Sequence, residues 1–535
     1  MKIKRILLFM GILVLAFLTA CGNSTDNNVE EDLDNLNETG MPIVDEEITL
    51  DIFTVKGALH EDFNDVLIFN EYKDRTNINV EWEMVPGEGF DEKLNLALSS
   101  DDLPDAFYNA SIAMSDLLKY GNQGTFIPLN DLIADYAPNL QKIFDEHPEI
   151  ESALTQPDGN IYGLPTLDEP GFDSKSMGSQ TWFREDWLEQ LDMEVPETTD
   201  EFYEFLKAVK ETDLIGDGSN DEIPFGTLSI GLLVEWLEGS FGVGNRGLSV
   251  GKVDMDPNEE KLRFYPITDE YKELLEYVHK LYDEELIEQN IFSLESHQFF
   301  ANGTEGIYGS VERQDPEQVF GGEHNDKYIG GFALEGPNGH KSYTGTRHPV
   351  DRPGAFVITE GNEHPAATMR WIDYFYGDEG SELFLMGIEG ETFEINEDGD
   401  HEYVEDIRDN PEGLTLDQAV ARYLTWPGGG YPAYNKEKYY KGSEGTEATH
   451  KAVEKIKPDL IEEVWPAFSY TEEENRIMQT TGADIEKYVD ESTDKFISGD
   501  MSFDQWDEYV QTIKDMNLEE YMEIQQNAYE RYESN

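Results

Sequence analysis

The sequence predicts a helix-rich α/β protein made of two domains. Three observations predict it. A β-α-β pattern opens the body of the chain, and long amphipathic helices follow it. The roughly 490 residues beyond an acidic leader also exceed what one hydrophobic core usually supports.

The amino end is read first. Lys2, Lys4 and Arg5 precede the apolar run Ile6 to Phe17. At about twelve residues the run is too short to span a bilayer and fits the apolar part of a secretion signal. Leu18-Thr19-Ala20-Cys21 follows, and small residues before a cysteine resemble the bacterial lipobox, in which cleavage falls before a lipidated Cys21. Cys21 is the single cysteine of the chain, so no internal disulfide, cysteine zinc site or dithiol chemistry is open to it. The expectation is a signal peptide over 1–20 and an anchored protein outside the cell, since several acyl chains hold where one does not.

Residues 21–47 are polar and acidic and read as a flexible tether. About 26 such residues would reach roughly 30 Å as a random coil. In the body, Ile48, Leu50 and Ile52 alternate as on a half-buried strand, and Ile78, Val80, Trp82 and Met84 do so again. Between them Phe63, Val66, Leu67 and Tyr72 share a helical face. Further on, Tyr271, Leu274, Leu275, Val278, Leu281 and Tyr282 recur at helical spacing, as do Ile485, Tyr488, Val489, Phe496 and Ile497. These stripes read as core.

The chain holds 114 Asp and Glu against 38 Lys and Arg, a formal charge of −76. Such a surface repels nucleic acid and polyanions. It suits high salt, where screening shortens self-repulsion to a few ångströms, or high external pH. Carboxylate pairs therefore occur everywhere by chance and mark no site. There is no GxxxxGK[ST] phosphate loop, no HExxH and no His-x-His pair among the 10 histidines.

Four segments carry a resemblance to a known family. They are ITLDIFT with INVEWEMV and LPDAFY (48–108), TWFREDWLEQLDMEVPETTDEFYEFLKAVKETD (181–213), EHPAATMRWIDYFYGDEGSELFLMGIEGETFEI (363–395), and the tail from FSYTEEENRIM to AYERY (468–532). With the lipobox, the chain resembles the extracellular solute-binding lipoproteins of sugar ABC importers of Gram-positive bacteria over nearly its whole mature length. The resemblance implies a periplasmic-binding-protein-like fold of type II: two α/β lobes joined by hinge strands and closing on a ligand by hinge motion. It implies residues 48–170 plus about 345–395 in one lobe, and 171–344 plus about 396–535 in the other. It also implies a monomer with no organic cofactor that captures a small solute, an oligosaccharide by preference, and passes it to permease subunits. A membrane-anchored glycan hydrolase and a ligand-sensing surface protein are the rival readings.

One motif carries metal chemistry. Asp213, Asp217 and Asp221 stand at positions 1, 5 and 9 of a loop, with Gly218 at 6, Ser219 at 7 and Glu222 at 10. Calcium takes six to eight hard oxygens, and such loops supply them at this spacing. The family often has a calcium loop here, ending in the same DEIP. Ile215 at position 3 departs from the pattern, and an acidic turn without metal is the competing reading. A calcium held there would be structural.

Sugar sites combine aromatic faces with a few polar groups. Trp426 lies in the loop TWPGGGYP, Tyr162 in GNIYGLP, and Asn109 at the end of the LPDAFY strand, where loops commonly face a crevice. Trp182 begins a strand and Trp236 ends an apolar helix, and both a core and a cleft place are open to each. Arg347, in GTRHPVDRPG, serves either a ligand or an acidic neighbour.

Overall fold

The computed structural model describes residues 33–100, 102–219, 221–259, 261–316, 320–321 and 324–534. The signal peptide, Cys21 and the first part of the expected tether lie outside them.

The opening pattern folds as its alternation implies. Strand β1 (Ile48–Lys56) buries Leu50 and Ile52 on one face and pairs in parallel with β2 (Ile78–Pro86), Ile48 opposite Ile78 and Lys56 opposite Pro86. Strand β3 (Ala106–Tyr108) joins the other side of β1, also parallel. Strand β11 (Val350–Ile358) runs antiparallel to both β3 and β4 (Leu164–Asp168), and β14 (Tyr434–Asn435) closes the edge, giving the order β14-β4-β11-β3-β1-β2. The helix Leu67–Thr76 packs Phe69 and Tyr72 on this sheet, and the Tyr72 hydroxyl donates to the Trp371 carbonyl at 2.8 Å.

A second sheet, β10-β5-β9-β6, is built from β5 (Gln180–Arg184), β6 (Ile223–Gly226), β9 (Tyr308–Arg313) and β10 (Tyr328–Gly330). Short hairpins, β7 (Val253–Met255) with β8 (Leu262–Phe264) and β12 (Phe393–Ile395) with β13 (His401–Tyr403), stand apart from the two sheets. The stripe of the helix Asp269–Asp283 buries Tyr271, Leu274, Leu275, Val278 and Leu281. It packs against the helix Ala483–Ser498, which buries Ile485, Val489, Phe496 and Ile497. The two large cores share no residue, which gives two lobes.

The lobe boundaries differ from expectation in one segment. Tyr403, Ile407, Leu424, Trp426, Tyr431 and Tyr440 belong to the first core, and β14 adds itself to the first sheet. The chain thus stays in the first lobe to about residue 440, not 395. The tether is also shorter than expected. Ile43 and Val44 are buried in the first core, their N–H groups donate to the Thr76 carbonyl, and the Arg370 guanidinium donates to the carbonyls of Asn37 and Gly40. Residues 33–47 are a strap on the first lobe because two apolar side chains suffice to pin a polar segment whose backbone groups find partners.

The chain passes between the lobes three times, near 169–179, 344–349 and 441–451. These crossings are bonded side by side. The Arg347 N–H donates to the Ser176 carbonyl at 3.0 Å, and Lys175 Nζ to Glu444 Oε1 at 3.3 Å. No described helix is long and apolar enough to cross a membrane.

Candidate functional site

Strands β1, β2 and β3 are parallel, so their carboxyl ends fall on one rim of the first lobe. Loops there line a hollow of about 560 Å³ that includes Lys56, Glu88, Asn109, Ser111, Arg352 and Tyr431. A hollow of about 420 Å³ adjoins it through Val55, Asn109 and Ser111. Another, of about 260 Å³, adjoins it through Arg352, Gly428, Gly429 and Tyr431, and reaches Lys175 and Glu444 in the crossings. Together they form a trough from the strand ends to the hinge.

On the second lobe a hollow of about 140 Å³ is lined by Ser179, Glu235, Trp236, Glu312, Tyr343 and Arg347, among others, and shares no lining residue with the trough. It sits where β9 ends and β5 begins. The Trp236 ring stacks on Phe225 at 6.2 Å between centroids. Glu312 is 3% exposed, and its Oε2 accepts the Thr227 hydroxyl at 3.0 Å. Burial raises the Glu235 carboxyl above its ordinary range, against the pull of Lys252 and Arg347. The arrangement offers an aromatic wall, a guanidinium and carboxylates that accept hydrogen bonds from hydroxyls, the group types that hold a sugar. A further hollow, about 620 Å³ beside the helix Phe90–Leu98, includes no residue of the crossings.

The residues expected at the site separate by lobe. Trp236 and Arg347 come together in the second-lobe hollow. Asn109 and Trp426 line the trough, Trp426 with its Nε1 donating to the Leu385 carbonyl at 3.1 Å. Trp182 and Tyr162 line none of these hollows, which corrects their expected place. Trp182 is 1% exposed in mid-strand, its Nε1 donating to the Arg313 carbonyl at 2.9 Å. The Tyr162 ring lies under Gly121, where a Cβ would come within 2.4 Å of it, and its hydroxyl donates to Asp158 at 2.7 Å. Both belong to packed layers because an interior strand and a glycine-backed ring leave no open face.

Lys56, Ser111, Arg352, Tyr431, Glu235 and Glu312 were not singled out from the sequence. Arg352 follows Arg347 by five residues, and Tyr431 closes the loop that holds Trp426, so proximity was the available signal. The sequence also spells G-x-S-x-G at 247–251. Ser249 there sits in a turn with no strand-to-helix elbow around it, and its Oγ accepts the His348 N–H at 3.4 Å.

The acidic loop folds onto itself. Asp213 accepts the N–H groups of Gly216 and Gly218, and Asp217 accepts both the N–H and the hydroxyl of Ser219. The Ser219 hydroxyl also lies 2.9 Å from Asp221, its second carboxylate neighbour. Glu222 Oε1 takes the N–H groups of Leu214 and Ile215, while its Oε2 is buried with no hydrogen-bond partner. Ile215 points outward, 41% exposed. Among the described residues no three His, Cys, Asp or Glu converge as a ready metal centre. Carboxylates gathered on one loop, with an orphaned buried oxygen in Glu222, are nonetheless a donor set suited to a hard cation.

The chain is 30% identical over 539 aligned positions to the fructooligosaccharide ABC transporter substrate-binding protein FusA of Streptococcus pneumoniae, covering 97% of each chain. The solved structure of S. pneumoniae FusA in complex with kestose matches with a TM-score of 0.73 at 27% identity, covering 91% of this chain and 100% of that one. A structure of a FusA EF-hand mutant in complex with fructo-nystose matches with a TM-score of 0.72 at 28% identity, with the same coverage. The model of the bacterial extracellular solute-binding proteins matches residues 57–382, more than half of the sequence. With two lobes and bonded crossings between them, the chain belongs to the bacterial extracellular solute-binding protein family.

Proposed function

We propose that this protein captures an oligosaccharide between its lobes, outside the cell, and hands it unchanged to an ABC importer. One observation carries the reading. Sugar-type half-sites, Asn109, Arg352 and Tyr431 on one lobe and Trp236, Glu235 and Arg347 on the other, flank three hydrogen-bonded crossings. A ligand touching both half-sites binds the closed arrangement better than the open one and so shifts the population toward closure. The full-length likeness to a fructooligosaccharide-binding protein supports kestose-like ligands as the first class to test.

Calorimetric titration of the purified protein with kestose and nystose tests this. Saturable heat is expected, with the sugar recovered intact. Free fructose in the mixture would favour the hydrolase reading, against which the relatives' transport role weighs.

Two further features belong to the proposal. Cys21 carries the lipid anchor and the protein works as a monomer. Mass spectrometry of membrane extracts should find the acyl mass on wild type and none on Cys21→Ser. The loop of Asp213, Asp217, Ser219, Asp221 and Glu222 holds calcium in a structural role, supported by the orphaned Glu222 oxygen and by the EF-hand of the FusA relative.

A further inference from the structure

Non-glycine residues with φ in the left-handed region fall into two groups among the described residues. Asn77 and Asp192 cap helix ends, and Glu285 and Asn517 follow the helices Asp269–Asp283 and Trp506–Asp515 within two residues. That conformation routinely closes a last helical turn. Asn109 (φ 52°), Ser111 (φ 49°) and Arg352 (φ 46°) have no such excuse, and all three line the same 560 Å³ hollow. Strained backbone persists where surrounding structure over-determines it, and it collects at ligand sites.

The surroundings that impose the strain are visible. The Asn109 N–H donates to the Ala355 carbonyl at 2.7 Å and the Ile112 N–H to the Gly354 carbonyl at 3.1 Å, so the segment after β3 is fastened to β11. Only glycine fits at 354, where a Cβ would stand 2.2 Å from the Ile112 carbonyl oxygen. The pairing of β11 with β4 shifts register between Asp351 and Phe356, and Arg352 falls in that bulge. Bulges re-aim side chains, and here the Arg352 guanidinium crosses Gly430, where a Cβ would lie 2.4 Å from its Nε. Its ion pair with Asp351 is long, 3.7 Å through Nε. Asn109 is 3% exposed, and its Oδ1 has no hydrogen-bond partner in the fold.

We infer that Asn109, Ser111 and Arg352 determine ligand specificity on the first lobe, held in strained backbone so as to meet a neutral sugar ring bearing adjacent hydroxyls. The inference rests on the oligosaccharide reading above. The lining mixes donors (Arg352, Lys56) with residues that also accept (Asn109, Ser111, Glu88). Hydroxyls both donate and accept and so use both kinds. An anion would use the donors alone. The planar guanidinium fork suits two neighbouring oxygens, which a lysine ammonium does not replace.

The test pairs kestose affinity by calorimetry with the melting temperature of the ligand-free protein, for wild type, Ser111→Gly and Arg352→Lys. Ser111→Gly should bind about three- to tenfold more weakly, with a ligand-free Tm equal to or above wild type because glycine accepts φ 49° without strain. Arg352→Lys should bind about tenfold or more weakly with Tm unchanged. If wild type binds and both variants bind equally well, the inference falls while oligosaccharide capture stands. A lower ligand-free Tm for Ser111→Gly also overturns it, since the strain would then serve the fold. Tighter binding of oligogalacturonate than of kestose overturns the neutral-sugar assignment. A wild type that binds no oligosaccharide removes both readings.

Discussion

Lys175 Nζ lies 3.3 Å from Glu444 Oε1, tying the first crossing between the lobes to the third. The two side chains are 22% and 13% exposed, so the pair is largely withdrawn from water. Burial works against the Lys175 charge, but Tyr440, Glu444 and Asp168 outweigh it and hold its pKa above the usual lysine range. Burial likewise opposes the Glu444 charge, yet Lys175 and Ser443 keep its pKa below the ordinary glutamate value. Removing one partner strands the other in a partly dry site. Lys175→Met should therefore destabilise the protein by about 2–4 kcal/mol. Adding Glu444→Gln to it should recover much of that loss. Calorimetric melting of both variants reads the difference, and additive losses would show that the residues act independently.

The strap over residues 33–47 bears weight on the first lobe. Ile43 is fully buried, so Ile43→Ala should cost about 2–4 kcal/mol. A free tether would tolerate the change without effect. The melting temperature of a chain beginning at residue 22 distinguishes the two.

Glu238 in the second lobe gives a pH signature. Burial raises its carboxyl to about 8, Lys252 and the Tyr265 hydroxyl at 3.0 Å working in the opposite sense. The folded state then holds the proton more tightly than the unfolded chain. Its favourable contribution is complete below the unfolded value near 4.5 and is lost as pH climbs from there to about 8. Wild type should lose melting temperature across that window, and Glu238→Gln, neutral throughout, should lose less. Parallel curves for the two proteins would place the titration elsewhere.

Calcium should stabilise the second lobe through the 213–222 loop. At one hundred times the dissociation constant, a bound ion adds about 2.7 kcal/mol. A chelator should lower Tm in wild type, and Glu222→Gln should abolish the response. An identical Tm with and without calcium would return the loop to an acidic turn that closes on its own N–H groups.

Much of the fold was legible because apolar periodicity is a local signal. The alternation in β1 and β2 and the stripe beginning at Tyr271 appear in the structure as the sequence implies. Phe63 and Val66 are buried as expected, but from the turn ahead of the helix, which begins at Leu67. Residues 396–440 carried no such signal. Tyr403, Trp426, Tyr431 and Tyr440 are spaced irregularly among glycine, proline and acids, and only the shape of the first lobe decides that they pack there. The half-site was partly legible. Asn109 follows from the rule that strand ends face a crevice, and Trp236 and Arg347 from residue type. Arg352 could not be separated from its neighbours, because its aim comes from a register shift against β4, a strand almost two hundred residues earlier. Trp182 misled for the converse reason: a tryptophan near a crossing looks available until the neighbouring strands cover it.

Small-angle scattering during a kestose titration is the most direct measurement of the lobes closing on a sugar. The radius of gyration should shrink and saturate with the same affinity as the calorimetric heat. A profile unchanged by kestose, nystose and longer oligosaccharides, with no heat released, would contradict it.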